Sequence, residues 1–318
     1  MIKVTRLERK VFQRLAQKNG YWGKVGWVYE KGFYVLDCDD RPIYFYEGMP
    51  FHIPFSIIVD CSLENWINKN LLLKNDLFFK QDSQIFRFPK NDCIIGLFPQ
   101  EIVDLDRTVY KSPPRSEIIV KWIKFLTEEI LHKGKFEGMA GSIVLLKDRF
   151  SELVPFDDIE ASVCSRHAIP DLLLLLRSSV CGGLEQFLGA WKRIVGLGLG
   201  LTPSGDDVLV GFLASHKILS SNFWKQLNGS SLNNTLVQIA VSKTTPVASE
   251  FLRYALDGIF SDTLYHVFEA LPTKSSHKTD TLSIQEFINW GHTSGTDTLV
   301  GVVLGLSTIL QETFPRLA

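Results

Sequence analysis

The sequence predicts an α+β protein: an N-terminal antiparallel β domain, sandwich or barrel, over residues 1–110, and a mainly α-helical domain over residues 111–318. Three observations predict it. Residues 20–98 consist of short aromatic and β-branched runs separated by turn-forming clusters. A proline pair then interrupts the chain in Lys111-Ser-Pro-Pro-Arg115, where neither a ladder nor a helix interior can continue. Beyond it, apolar residues recur at helical spacing almost to the C-terminus.

The strands are read from Trp27-Val-Tyr29, Phe33-Tyr-Val-Leu36, Ile43-Tyr-Phe-Tyr46 and Phe55-Ser-Ile-Ile-Val59, separated by Asp39-Asp-Arg-Pro42 and Glu47-Gly-Met-Pro50. Consecutive strands of this kind are expected to pair antiparallel, with Lys31-Gly32 as one hairpin turn. Asp37, Asp39 and Asp40 read as a polar turn. Val103 to Arg115 reads as a linker. From Ser116 to His132, Ile118, Ile119, Trp122, Ile123, Leu126 and Ile130 form one apolar face, with Lys121, Lys124, Glu128 and Glu129 opposite. Further helical patterns cover 170–177, 184–195, 206–219, 234–241, 248–258, 261–271, 284–290 and 297–310, and the polar stretches 220–234 and 273–281 read as surface connections.

Composition excludes several classes of function. With 45% hydrophobic and 22% charged residues, the chain has the content of a folded protein with substantial cores. A formal net charge of -1 offers no general attraction to nucleic acid or an anionic membrane. The densest apolar run, Leu172 to Leu176, is far shorter than the roughly 20 residues of a membrane span. The charged start, Met1 to Lys10, lacks the apolar core of a secretion signal. Cys38, Cys61, Cys93, Cys164 and Cys181 are scattered, without the close pairs of a zinc or redox motif, and read as reduced thiols. The expectation is a soluble cytoplasmic protein.

The chemistry-bearing stretch is Gly196-Leu-Gly-Leu-Gly-Leu-Thr-Pro-Ser-Gly-Asp-Asp207, in which alternate glycines run through Thr202 into a polar helix start. It recurs as Thr293-Ser-Gly-Thr-Asp-Thr-Leu-Val-Gly301, with Ser294 following Ser204 by 90 positions. Gly196, Gly198 and Gly200 permit positive φ and close approach of the backbone. Ser204 reads as an N-cap, with Gly205, Asp206 and Asp207 in the first turn. Ser204 and Asp207, like Ser294 and Asp297, have the spacing of a capping box. Capping alone explains a serine and first-turn acids. Three alternate glycines and a second adjacent aspartate suggest in addition a set of open backbone amides around an anion. Two aspartates oppose an unscreened phosphate, so either Mg²⁺ or an ammonium-like group accompanies the ligand, or the carboxylates belong to the scaffold.

Leu209-Val-Gly211 and Leu299-Val-Gly301 repeat downstream of the two turns. A glycine inside a helix costs about 1 kcal/mol against alanine, so both read as close-packing positions, with Gly305 on the same face as Gly301. The two helices are expected to cross closely and bring their N-termini together. Between them, Thr245 reads as an N-cap with Pro246 in the first helical position. Thr244, Thr245 and Ser249 could instead supply hydroxyls to the site, with Lys243 or Arg253 balancing an anion.

These two stretches resemble the hallmarks of a bacterial domain of unknown function represented by the AllH-type subunit of oxamate carbamoyltransferase; the second hallmark is Gly291-His-Thr-Ser-Gly-Thr-Asp-Thr-Leu-Val-Gly301. The family's pattern carries proline where this chain has Leu199. The resemblance implies a subunit that works with other protein subunits to transfer a carbamoyl group between carbamoyl phosphate and oxamate in allantoin breakdown. The candidate catalytic residues are then His292, Asp207 and Asp297. Gly196, Gly198, Gly200, Thr202, Ser204, Gly205, Asp206, Thr244, Thr245, Thr293, Ser294 and Gly295 are the candidate substrate-binding residues. No cofactor is assigned beyond Mg²⁺ as the cation the aspartates would admit, and the metal ligands stay open. The alternatives are a noncatalytic anion- or metabolite-binding subunit and a structural assembly protein. His292 could protonate or position a leaving oxygen, or make only a structural hydrogen bond. His167 near Cys164, the thiol of Cys181-Gly-Gly183 and His216 read as structural.

Overall fold

Strand β1 (Ile2–Glu8) leads directly into helix α1 (Arg9–Ala16) through the side chain of Glu8. The two Glu8 carboxylate oxygens accept from the Lys10 and Val11 amides, at 2.9 Å each, and so satisfy donors that a helix start leaves open. Only Val11 and Leu15, one turn apart, are buried from α1. Two inward residues in eight are too few to stand out in a sequence, and neither β1 nor α1 was anticipated.

The computed structural model describes residues 2–16, 20–48, 52–70, 72–80, 85–88, 93–96, 99–107, 110–146, 161–181, 183–221, 230–271 and 281–313. Met49 and Pro50 of one expected turn, Gly182, and most of the two expected polar connections lie outside these residues. Contacts divide the chain into Met1–Asp106 and Arg107–Ala318.

In the first unit β1 is joined by β2 (Gly20–Tyr29), β3 (Gly32–Asp37), β4 (Pro42–Glu47), β5 (Ser56–Val59), helix α2 (Leu63–Asn70), β6 (Leu77–Lys80), β7 (Ile85–Phe88), β8 (Cys93–Gly96) and β9 (Glu101–Val103). The sheet order is β5-β4-β3-β2-β6-β7-β8-β1-β9, and β1 also pairs with β5, which nearly closes a barrel. The antiparallel expectation holds for β2–β3, β3–β4, β2–β6, β6–β7, β7–β8 and β1–β5. It needs refinement at β4–β5, β1–β8 and β1–β9, which are parallel. Parallel neighbours cannot be joined by a tight hairpin, so these strands are separated by longer connections. The hairpin between β2 and β3 turns at Glu30 and Lys31, because Tyr29 pairs with Gly32, and not at Lys31-Gly32 as expected. Gly32 lies already in the ladder, where an added methyl group would sit 2.7 Å from the Phe45 carbonyl oxygen. Asp37 organises the polar turn before β4 by accepting from the Asp39 and Arg41 amides and from Arg14. Stacked pairs Phe33–Phe45 and Phe78–Phe86, with Trp22 edge-on to the latter, make up much of the barrel interior.

The second unit is helical: α3 (Ser116–Lys133), α4 (Gly141–Leu145), α5 (Val163–Cys181), α6 (Leu184–Ile194), α7 (Ser204–Ile218), α8 (Ser230–Lys243), α9 (Pro246–Leu256), α10 (Asp262–Ala270), α11 (Thr281–Ile288) and α12 (Ser294–Thr313). The sequence pattern anticipates nine of these ten, eight of them to within about four residues at each end; α4 has only five residues and no full period to read. Helix α5 begins seven residues before its expected start at Pro170, which sits inside the helix and removes one donor from its ladder.

At the centre of this unit α7 and α12 cross with their backbones in contact. A methyl group added at Gly211 would lie 1.9 Å from the Thr298 carbonyl oxygen, and one at Gly301 would lie 2.0 Å from that of Val208. Gly305 faces Ser215 and Phe212 in the same way. The crossing is closed at its far end by buried His216, whose Nδ1 is 2.6 Å from Ser221 Oγ and whose Nε2 is 2.9 Å from Thr308 Oγ1. Helices α3 and α5 pack on α12, and α6 and α9 pack on α7. Helix α7 is buried on nearly every side, including its two aspartates.

The close approach predicts opposite outcomes for two glycine substitutions. Gly211→Ala should cost about 3 kcal/mol or more in denaturant unfolding, because neither backbone can give way. Gly189→Ala in α6, where the nearest foreign atom is 3.5 Å away on the flexible Arg193 side chain, should gain up to about 1 kcal/mol. Equal effects at the two positions would show that the crossing is not tightly packed.

Candidate functional site

The glycine turn adopts the conformations its residues allow. Gly196, Gly198 and Gly200 have φ of 76°, 117° and 97°, values that side chains disfavour. The first two are also sterically required, because a methyl group would meet the Lys243 carbonyl oxygen or the Ser204 amide nitrogen. Leu199 at the tip is 94% exposed. Gly205 lets the start of α7 press on the Ile194 carbonyl that ends α6. Gly295 does the same for α12 against the Phe287 carbonyl in α11. The two helix starts thus share one construction.

Serine capping, however, differs from the sequence expectation. Ser204 is the first residue of α7, the cap position belongs to Pro203, and no side chain caps there. The amides of Asp206 and Asp207 turn back to the Pro203 carbonyl, so the Ser204 hydroxyl is not needed within its own helix. It is set toward Asp297 of α12 instead, and the Ser294 hydroxyl toward Asp207 of α7, each favouring the ionised form of the carboxyl it meets. Thr202 and Thr293 add one hydroxyl each, to Asp207 and Asp297 respectively. Thr202 Oγ1 lies 3.0 Å from Ser294 Oγ. The spacing read as two capping boxes is a reciprocal exchange between two helices.

Some amides of the expected open set are taken within the turn. Gly196 N–H donates to Asp206 Oδ1, Leu197 N–H to the Ile194 carbonyl and Gly205 N–H to the Leu197 carbonyl. The groups that converge on the junction are hydroxyls and carboxyls.

The three aspartates divide into one scaffold residue and one pair. Asp206 is fully engaged: Oδ1 takes Gly196 N–H at 3.0 Å and Oδ2 takes the Thr244 hydroxyl at 2.5 Å. Burial pushes its carboxyl up to about 6, against those two hydrogen bonds. Asp207 is 8% exposed, and burial and then the charge of Asp297 push it well above the ordinary carboxylate range. Asp297 is 0% exposed and is pushed up to about 6 by burial, opposed by the Met139 amide, the Ser204 and Thr293 hydroxyls and His292. Oδ2 of Asp207 and Oδ2 of Asp297 are both buried without a hydrogen-bond partner among the described residues.

The other expected site residues fall as follows. Thr245 caps α9 by accepting from Ala248 N–H at 3.0 Å, with Pro246 in the first turn, and donates to the Leu201 carbonyl, which ties α9 to the glycine turn. Ser249 donates to the Pro246 carbonyl, Lys243 to that of Lys192, and Arg253 pairs with Glu250, so all three hold local structure. His292 is exposed beside Asp297. His167 bonds to the Val163 carbonyl, and Cys164 feels the charge of Asp297. Cys38, Cys61, Cys164 and Cys181 are thiols, not joined in disulfides. Among the described residues no group of three or more His, Cys, Asp or Glu could hold a metal ion.

Sequence reasoning missed Lys135, Gly138 and Met139, between α3 and α4. Met139 N–H donates to Asp297 Oδ1 at 2.6 Å, and Gly138 backs onto the same carboxyl. Lys135 Nζ holds the Gly291 carbonyl at 2.8 Å, and its amide donates to Thr296 Oγ1. The glycines at 134, 138 and 141 were the only available signal, and without a known partner they resemble any turn.

Residues 194–306 match the family model for oxamate carbamoyltransferase subunit AllH. The AllH match starts two residues before Gly196 and contains both helix starts, the glycine crossing and the Thr244-Thr245 turn. The resemblance carried by the two motifs is therefore shown over the segment that builds the junction. Lys135, Gly138 and Met139 lie outside the AllH match. No solved structure matches the chain. No helix among the described residues is long and apolar enough to cross a membrane.

The buried acids make stability depend on pH. Between 3.8 and the raised value, the folded chain keeps a proton on Asp207 that the unfolded chain releases, so stability falls as pH rises through that window. His216 acts at the acid end: burial lowers it from 6.5 to about 3, and stability falls as pH drops through that range. Asp207→Asn should therefore raise unfolding stability at pH 8 by at least about 1 kcal/mol, and by less at pH 4. The same shift at both pH values would contradict a raised Asp207.

Proposed function

We propose that this chain is a subunit of a carbamoyltransferase-like enzyme acting on carbamoyl phosphate and a small 2-oxo acid amide such as oxamate. The observation that carries this reading is the AllH match over residues 194–306, the same segment that brings the two helix starts together. The family's name is that of a subunit, so partner subunits belong to the proposal.

The chemistry required is modest in protein terms. The amide nitrogen of the acceptor bonds to the carbamoyl carbon, the bond from that carbon to the phosphate oxygen breaks, and the nitrogen's proton ends on the departing phosphate. A carboxyl that holds a proton in a buried setting is suited to relay it, and hydroxyls fixed on helix starts are suited to orient the reacting groups. Asp207, Asp297, Thr202, Ser294, Ser204 and Thr293 supply these groups. His292, itself exposed and close enough for its charge to act on Asp297, is the candidate to meet a leaving oxygen. Gly196, Gly198, Gly200, Gly205 and Gly295 shape the two turns, and Asp206, Thr244 and Thr245 brace them.

A second reading has support from the same contacts. The engagement of Asp206, Thr244 and Thr245 within the scaffold fits a binding subunit that leaves the chemistry to a partner.

Phosphate release from carbamoyl phosphate and oxamate, measured with the chain alone and with its partner subunits, separates the two. The enzyme reading expects turnover to fall about 100-fold or more in Asp297→Ala and Ser294→Ala while both variants keep the native circular dichroism spectrum. Undiminished turnover in both would remove the junction from the reaction. Substrate binding that depends on these residues, with no turnover in any subunit combination, would establish the binding subunit instead.

A further inference from the structure

A buried carboxyl oxygen without a donor is costly, because its desolvation is not repaid by a hydrogen bond. The α7–α12 junction contains two such atoms at corresponding places in the repeated motif, Oδ2 of Asp207 and Oδ2 of Asp297. Their remaining contacts differ. Asp297 receives a main-chain N–H at 2.6 Å, from Met139, a donor that favours the ionised form. Among the described residues Asp207 meets only hydroxyls, those of Ser294 and Thr202, which accept as readily as they donate. The environment therefore favours a carboxylate at 297 and a carboxylic acid at 207.

We propose that Asp207 and Asp297 together recognise a primary carboxamide, with the Asp207 acid donating to the amide carbonyl and the Asp297 carboxylate accepting from the amide N–H. An acid beside a carboxylate offers one donor and one acceptor, the complement of a –CO–NH₂ group. It mismatches a dicarboxylate, which brings no N–H and adds negative charge. Burial and the neighbouring charge of Asp297 act in the same direction, since both resist ionisation of Asp207. The charged or titratable groups nearest the pair are consistent with this. Asp206 is bound to Thr244 and Gly196, Cys164 lies on the α5 side of Asp297, His292 precedes α12, and Lys135 is held on the Gly291 carbonyl. The inference rests on the carbamoyltransferase reading only in naming oxamate as the amide.

The test is equilibrium binding of ¹³C-labelled oxamate and ¹³C-labelled oxalate to the full chain, followed by ¹³C NMR. Oxamate should bind at least about tenfold more tightly than oxalate, the order of discrimination expected when a site's buried polar groups are left unpaired. Asp297→Asn, whose single amide oxygen stays on the Met139 N–H and turns its NH₂ toward the ligand, should weaken oxamate at least about tenfold, and Asp207→Asn, which keeps a donor, should weaken it less. Gly138→Ala provides a variant of unchanged charge. Its methyl group would stand 2.4 Å from both Asp297 carboxyl oxygens, displacing them, and oxamate binding should fall with the circular dichroism spectrum retained. Equal affinity for the two ligands, equal losses in the two asparagine variants, no oxamate binding at tens of millimolar, or Mg²⁺ bound at the pair would each overturn the inference. Turnover without a preference for oxamate over oxalate overturns this inference and leaves the carbamoyltransferase reading standing. The preference without turnover does the reverse.

Discussion

The helical unit depends on one contact, the crossing of α7 and α12 at Gly211 and Gly301. Each glycine lies directly against a carbonyl oxygen of the opposite helix, Thr298 or Val208. Any side chain at either position would force the helices apart. Because the contact falls one turn into each helix from Asp207 and Asp297, it also fixes where the two first turns meet. The exchange of serine hydroxyls across the junction follows from that placement: Ser204 reaches Asp297 and Ser294 reaches Asp207 because the backbones touch just beyond them.

The same contact explains why neighbouring aspartates behave differently. Asp206 and Asp207 are adjacent in α7, so they project to different sides of the helix. Asp206 meets the glycine turn and Thr244 and has both oxygens bonded. Asp207 faces the crossing, where the opposing element carries another aspartate and leaves one oxygen of each without a partner. Protein interiors pair their polar groups, and where they do not, ligand chemistry is a physical reason for the exception. Stability and site chemistry oppose each other here, since the arrangement most useful to a ligand is least favourable to the folded chain in its absence.

Much of this could be read from residue order. Long helices with a full apolar period, such as α3, were legible, as were the glycines whose only rationale is close approach or positive φ. The repeat of Ser-Gly-x-Asp predicted that the two helix starts meet. What could not be read depends on partners distant in the chain. The serine was assigned to its own helix because Ser-x-x-Asp spacing fits a capping box, and only the crossing reveals a nearer acceptor. Met139 and Gly138 lie more than 150 positions from Asp297, and no local pattern links them. In the barrel, α1 and α2 each present too few inward residues to be distinguished from connections, and parallel pairing of β4 with β5 is decided by the route of the chain between them.

The central claim is that two helix starts, joined by glycine packing, form one ligand site. The most direct measurement is a crystal structure of the chain soaked with oxamate. Oxamate should lie at the α7–α12 junction, within hydrogen-bond distance of Oδ2 of both Asp207 and Asp297. Oxamate bound elsewhere, with the two carboxyls hydrogen-bonded only to each other, would contradict it.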